Sequence, residues 1–195
     1  MNSLHFFHVC LPCLPPCLGH DLFEGVIQYD LAFLLKELCK GSTAMSLSYL
    51  NDAVKVFQFK GNDACDKPGL ISHGPVVGGH AVQNWCLRLL PLLLFNVVEV
   101  SSECWKLLLL LREVVEVVCA PKVSHAQVLY LNRLVQLYVE ERVRLFPMVA
   151  LRPKHHYLLH YPWLITMFGP LIRVWTMRLD SFFKRSCAQN TIISM

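Results

Sequence analysis

The chain has 195 residues, of which 54% are hydrophobic and 16% are charged, and its formal net charge is +4 at pH 7. This length suffices for one domain with a sizeable core. The apolar content is high for a soluble monomer, so we expect part of the apolar surface to contact other protein. The pI near 8.6 makes the chain only mildly basic, and no dense run of Lys and Arg marks a nuclear import signal.

The cysteines and the apolar runs bear on the compartment. Nine Cys is an odd number, and four of them occur within apolar helical patterns, where a free thiol acts as a small hydrophobic residue: Cys39, Cys86, Cys104 and Cys119. We therefore expect a reducing, intracellular compartment, nuclear or cytoplasmic. The N-terminus lacks the basic region and cleavage site of a signal peptide, and the apolar run 89–98 is too short for a transmembrane helix, so no membrane partner is expected.

The first third of the chain predicts two amphipathic helices and a loop. Apolar residues recur at three- and four-residue spacing over 22–39, where Gly41 supplies a stop signal, and again over 46–59. Residues 60–79 bring Gly, Pro, Asn and Asp together in quick succession. This segment is predicted to be a long loop or a damaged insert.

Helices are also predicted for the middle of the chain. Residues 80–90 have a helical pattern, and the apolar run 92–100 fits either a continued buried helix or a short strand. Ser101 or Ser102 can cap a helix that ends near residue 118, and Ser124 can cap a longer one up to residue 145, which gives a helical hairpin. The second helix of this hairpin is expected to place five charged residues on its solvent-exposed side: Arg133, Glu140, Glu141, Arg142 and Arg144.

Two groups of side chains have the chemistry of metal ligands. The N-terminal group has zinc-binding residue types within a short, turn-rich segment: Cys10, Cys13, Cys17 and His20. It lacks a second pair of ligands from another part of the sequence, which would hold the ion from the other side. An unpaired Cys-rich entry to the first helix is therefore the favoured interpretation. His156 and His160, four residues apart, would share a helix face as zinc ligands do. Without an acidic third ligand nearby, core or phosphate-facing histidines are favoured. Two roles are considered for Trp163 and Trp175, stacking on bases and packing in the core, and the core role is favoured.

Several sequence blocks carry a resemblance to a known family. They are Cys17-x-x-His20 followed by Asp21-Leu-Phe-Glu-Gly-Val26, the blocks at 80–92, 106–119 and 145–148, the Pro-Lys-His-His segment at 153–156 and the Phe-Gly-Pro-Leu turn at 168–171. Together they resemble the eukaryotic DDE DNA transposases with an RNase H-like fold, near the CACTA-like group. The resemblance covers nearly the whole chain apart from 60–79 and the C-terminal tail.

The resemblance implies a specific chemistry. In that family three carboxylates hold two divalent ions, Mg²⁺ for an active enzyme, which drive an in-line phosphoryl displacement. In the family, the Cys-x-x-His signature, here at Cys17, lies downstream of the first two catalytic acids. We therefore expect a chain that begins at Met1 to lack both of those acids, with Asp21 and Glu24 as carboxylates that only resemble them. The family's Arg-Phe-Glu-Ser pattern has become Arg178-Leu-Asp-Ser, which leaves Asp180 as the third acid on a shifted register. A shorter, shifted carboxylate is expected to miss the metal position.

These observations predict a mainly α fold of six or seven helices, a partial RNase H-like transposase without most of the catalytic sheet, in a single domain over 1–195. The expected function is that of a transposon-derived remnant without catalysis or cofactor. It is expected to bind a related transposase or itself, or to make weak, non-specific DNA contacts through Arg152, Lys154, Arg173, Arg178, Lys184 and Arg185. The alternatives are an active metal-dependent transposase or nuclease using Asp21, Glu24 and Asp180, and a helical interaction module recruited by the host.

Overall fold

The computed structural model describes residues 17–40, 45–64, 66–72, 77–94 and 96–175. Across these ranges every regular element is helical and there is no strand, so the mainly α prediction is confirmed. The helices are α1 (Gln28–Lys40), α2 (Leu47–Val56), α3 (Ala81–Cys86), α4 (Leu90–Leu94), α5 (Glu103–Val118), α6 (His125–Leu145), α7 (Pro153–Leu158) and α8 (Tyr161–Phe168). A 3-10 turn, Leu87–Leu89, joins α3 to α4, and counting that pair as one gives seven helices in the described part of the chain.

The predicted boundaries of the two helices in the middle of the chain are confirmed, and the second helix has the predicted serine cap. The Ser124 hydroxyl accepts a hydrogen bond from the Gln127 backbone N–H at 3.3 Å, and the Gln127 side chain accepts one from the Ser124 N–H at 2.8 Å. This capping box satisfies two amides that the first turn of α6 would leave without partners. Ser102 occupies the N-cap position of α5, but its side chain makes no capping hydrogen bond. The two helices pack against each other as the expected hairpin.

One hydrophobic core joins the helices. Helix α5 packs against α6 and α1, and its buried residues recur at helical spacing: Trp105, Leu107, Leu108, Leu111, Val114, Val115 and Val118. The buried stripe of α6 consists of Leu131, Leu134, Val135, Tyr138 and Arg142. The prediction that Arg142 lies on the solvent-exposed side of α6 is therefore wrong, because this residue continues the inward stripe four positions after Tyr138.

The chain enters α1 through a π-helical segment, Gly19–Ile27. Such wider turns are rare and occur often at functional sites. Gly25 lies where the segment meets α7, and a Cβ atom at this position would be 2.4 Å from Cδ of Lys154 and 3.0 Å from the carbonyl oxygen of His20. The absence of a side chain at Gly25 is thus what allows α7 to approach this closely.

Segment 60–79 contains one 3-10 turn, Gly61–Ala64, and several hydrogen bonds tie its described part to the helices. The Asn51 side chain binds both backbone groups of Ile71, accepting from its N–H at 2.8 Å and donating to its carbonyl at 2.9 Å. The N–H of Val77 donates to the Gln28 carbonyl at 2.9 Å. Ile71 and Val77 are buried in the core, so these bonds satisfy backbone groups that burial removes from water. No described helix has the length and apolarity needed to cross a membrane.

Candidate functional site

Four polar side chains meet in the interior between α1, α6 and α7. Asp30, Tyr138, Arg142 and His155 are each 1% exposed or less, and we call them the buried network. The Asp30 carboxylate lies 3.2 Å from Nε of Arg142 and 2.9 Å from Nε2 of His155, and it accepts a hydrogen bond from the Tyr138 hydroxyl. Buried charges persist only when paired and hydrogen-bonded, and this carboxylate has three partners.

The partners of Asp30 are held in turn by other groups. Nη1 of Arg142 donates to the Val149 carbonyl at 2.9 Å, and its guanidinium lies 5.2 Å from the centre of the Phe33 ring. Nδ1 of His155 accepts from the Arg152 backbone N–H at 3.0 Å, which assigns the ring proton to Nε2, where it is donated to Asp30. The network therefore fixes the loop between α6 and α7 as well as the three helices.

Burial, reinforced by the negative charge of Asp30, raises the pKa of Tyr138 well above its usual range. The hydroxyl consequently stays protonated and can donate to the carboxylate. All four side chains are closed off from solvent, so the arrangement joins helices rather than presenting groups to a substrate. The sequence interpretation missed the network, although the position of Arg142 within the apolar stripe of α6 was a signal for it.

The candidate catalytic acids have other partners. Glu24 uses Oε1 to accept a hydrogen bond from the Ala81 N–H at 3.0 Å, at the start of α3. Burial raises the pKa of Asp21, against the opposing attraction of Lys154 and His20. Asp180 lies outside the described residues.

The N-terminal zinc candidates are only partly described, because Cys10 and Cys13 lie outside the described ranges. Cys17 is half-buried at the start of the π-helical segment, and His20 is exposed, with Nε2 3.9 Å from a Glu24 oxygen. No group of three or more His, Cys, Asp or Glu side chains suited to a metal ion occurs among the residues that the structure describes.

Three of the six candidate nucleic-acid contacts are described. The Arg152 guanidinium lies 4.3 Å from the centre of the Tyr29 ring, and Nζ of Lys154 donates to the His20 carbonyl at 2.6 Å. Arg173 donates to the Pro121 carbonyl at 3.1 Å. These hydrogen-bond and ring partners are neutral, although Lys154 is also attracted by the Asp21 carboxylate. The other three candidates, Arg178, Lys184 and Arg185, lie outside the described residues.

Beside these cations, α7 and α8 present a solvent-facing surface that we call the outer face. It consists of His156, Tyr157, His160, Trp163 and Met167, all exposed. The side chain of Trp163 is 43% exposed, so the favoured prediction that it fills core is wrong. The Trp175 ring, in contrast, stacks on Phe23 with centroids 5.0 Å apart and belongs to the core.

Comparisons with known protein families, with curated proteins and with solved structures find no match to this chain.

Proposed function

We propose that this chain is a non-catalytic, transposase-derived protein that binds nucleic acid weakly and without sequence preference. The observation that carries the proposal is the composition of the C-terminal helices: the sequence has no Asp or Glu between Glu141 and Asp180, while Arg152 and Arg173 lie at the surface there. Phosphate backbones bind to surfaces rich in cations.

The outer face supplies a second kind of contact. An exposed Trp and Tyr can stack on unpaired bases, whose π-faces do not depend on sequence. Tyr157 lies on α7 and Trp163 on α8, and Arg152 is the N-cap residue directly before α7. The combination of ring faces with nearby cations favours single-stranded over double-stranded nucleic acid.

The nucleic-acid proposal is tested by fluorescence anisotropy with labelled single- and double-stranded oligonucleotides at several salt concentrations. We expect binding to weaken linearly in a plot of log affinity against log salt. Arg152→Glu should weaken binding to all sequences and lower the slope by about 1. Lys55→Glu is the matched control, because Lys55 is an exposed cation on α2 that forms an ion pair with Asp52. Binding that is independent of salt, or equally affected by both variants, would refute the proposal.

The absence of catalysis is a separate part of the proposal. It is supported by the Glu24 carboxylate, which caps α3 and is thus engaged in a structural hydrogen bond. Incubation of the chain with supercoiled plasmid and Mg²⁺ or Mn²⁺ should yield no nicked product above that of an Asp21→Ala/Glu24→Ala variant. Cleavage that disappears in this variant would instead support the metal-dependent nuclease.

Association with a second protein chain is the other candidate function, and an apolar groove favours it. The groove lies along α5 and α6 and has a volume of about 430 Å³. It is lined by five leucines, three acidic residues and one lysine: Leu107, Leu109, Leu110, Leu137, Leu145, Glu103, Glu113, Glu141 and Lys106. Sedimentation velocity across micromolar concentrations tests it, and a Leu109→Lys variant that leaves a concentration-dependent oligomer intact would exclude this groove as the interface.

A further inference from the structure

Two histidines of the outer face approach each other through their ring nitrogens. Nε2 of His156 lies 2.9 Å from Nε2 of His160, and the rings are nearly perpendicular, with centroids 4.6 Å apart. Both side chains are exposed, so both nitrogens can be reached from solvent. Two neutral imidazoles at this distance share one N–H···N hydrogen bond, in which one ring presents a lone pair to the other.

The backbone holds this pair in place at the junction of α7 and α8. Pro162 has no N–H, so it cannot complete the helical bond to the carbonyl four residues before it. The chain nonetheless remains right-handed through the junction, with N–H groups of Leu159 and His160 bonded three residues back at 3.1 and 3.0 Å. His156 and His160 therefore stay one turn apart on the same side of the chain.

The spacing of the two nitrogens fits two adjacent positions around a metal ion. With metal–nitrogen bonds of about 2.0 Å, nitrogens at a right angle lie about 2.8 Å apart, whereas a tetrahedral angle separates them by about 3.3 Å. The observed 2.9 Å is nearer to the right-angle value than to the tetrahedral one. Right angles between ligands are typical of the tetragonal sites of Cu²⁺ and Ni²⁺, and imidazole suits both ions.

We propose that His156 and His160 form a surface site for a divalent late-transition-metal ion, Ni²⁺ or Cu²⁺, with water in the remaining positions. On binding, the proton of the donating ring moves from Nε2 to Nδ1, so that both Nε2 lone pairs face the ion and both rings stay neutral. The site does not depend on the proposed binding of nucleic acid. With two protein ligands, it should be weaker than sites built from three or four.

The first test is a calorimetric titration of the full chain with NiCl₂ at pH 7.5 in a non-chelating reductant. His156→Ala and His160→Ala should each weaken one binding event by about tenfold or more, because either change removes half of the protein ligands. His125→Ala is the matched control, since His125 is also exposed but lies on α6. A Cys10→Ser/Cys13→Ser/Cys17→Ser variant separates any binding by the N-terminal thiols.

Tryptophan fluorescence gives an independent measurement. Trp163 follows His160 by three positions on α8, so bound Ni²⁺ should quench its emission, and a Trp163→Phe variant should lose that quenching while keeping the calorimetric event. Binding that is unchanged in a His156→Ala/His160→Ala variant, or that disappears only with the thiol variant, would overturn the proposal. Far-UV circular dichroism of each variant checks that the helices remain.

Discussion

Replacement of Asp30 by Asn tests whether the buried network stabilises the fold through charge. At 3.2 Å and an effective dielectric constant of about 20, the attraction between Asp30 and Arg142 is about 5 kcal/mol before desolvation is subtracted. Asn has the same shape but no charge. It also presents an NH₂ group, and either orientation of the amide places that group against a donor, because both Asp30 oxygens face Arg142 and His155.

The expected loss for Asp30→Asn is about 3–5 kcal/mol of unfolding free energy, the usual result of leaving one buried charge without its partner. In a urea titration followed by far-UV circular dichroism, this corresponds to a midpoint lowered by about 1 M or more. Asp52→Asn is the matched control, because Asp52 forms an exposed ion pair with Lys55 at 3.1 Å and should lose no more than about 0.5 kcal/mol.

Tyr138→Phe adds a graded comparison within the network. This variant removes one hydroxyl donor and leaves Asp30 with Arg142 and His155, so it should cost about 1.5–3 kcal/mol, less than Asp30→Asn. The reasoning is refuted if Asp30→Asn lowers the midpoint no more than Asp52→Asn does. That outcome would mean that no charged Asp30–Arg142 pair supports the folded state.

Three further predictions concern other elements. Ser124→Ala should lower the unfolding free energy by about 1 kcal/mol through loss of the α6 cap, whereas Ser101→Ala, outside the helices, should change it by less than about 0.5 kcal/mol in the same urea titration. Gly25→Val should lower the unfolding free energy by about 1–3 kcal/mol, because the new side chain collides with Lys154, and an added Lys154→Ala should recover part of this loss. Gly69→Val is the control, because open space surrounds Gly69, and it should not destabilise the fold comparably. Because burial raises the pKa of Asp21, the folded state holds its proton to higher pH than the unfolded state. The stability of the wild type should therefore fall as pH rises just above the ordinary Asp range. Asp21→Asn should match wild type near pH 3 and have a slightly higher thermal midpoint at pH 7, by no more than the equivalent of about 0.5 kcal/mol.

The helices were predictable because their signals are local. Ser124 and Gln127 are three residues apart, and the apolar stripes of α5 and α6 repeat every three or four positions. The buried network was not predictable in the same way, because Asp30 lies 108 residues from Tyr138 and 125 from His155. Periodicity indicates which face of a helix is buried, but it does not identify which buried polar groups meet across helices.

The Pro-Lys-His-His segment shows how one motif divides between structural and chemical roles. From the sequence, Lys154 is a candidate nucleic-acid contact and His156 is considered as a metal ligand, yet the side chains of the segment point to three different places. His155 turns inward to Asp30, and Lys154 reaches back to the His20 carbonyl. His156 alone points outward, towards His160. Packing is therefore sufficient to account for Lys154 and His155, and any surface chemistry of the block depends on His156.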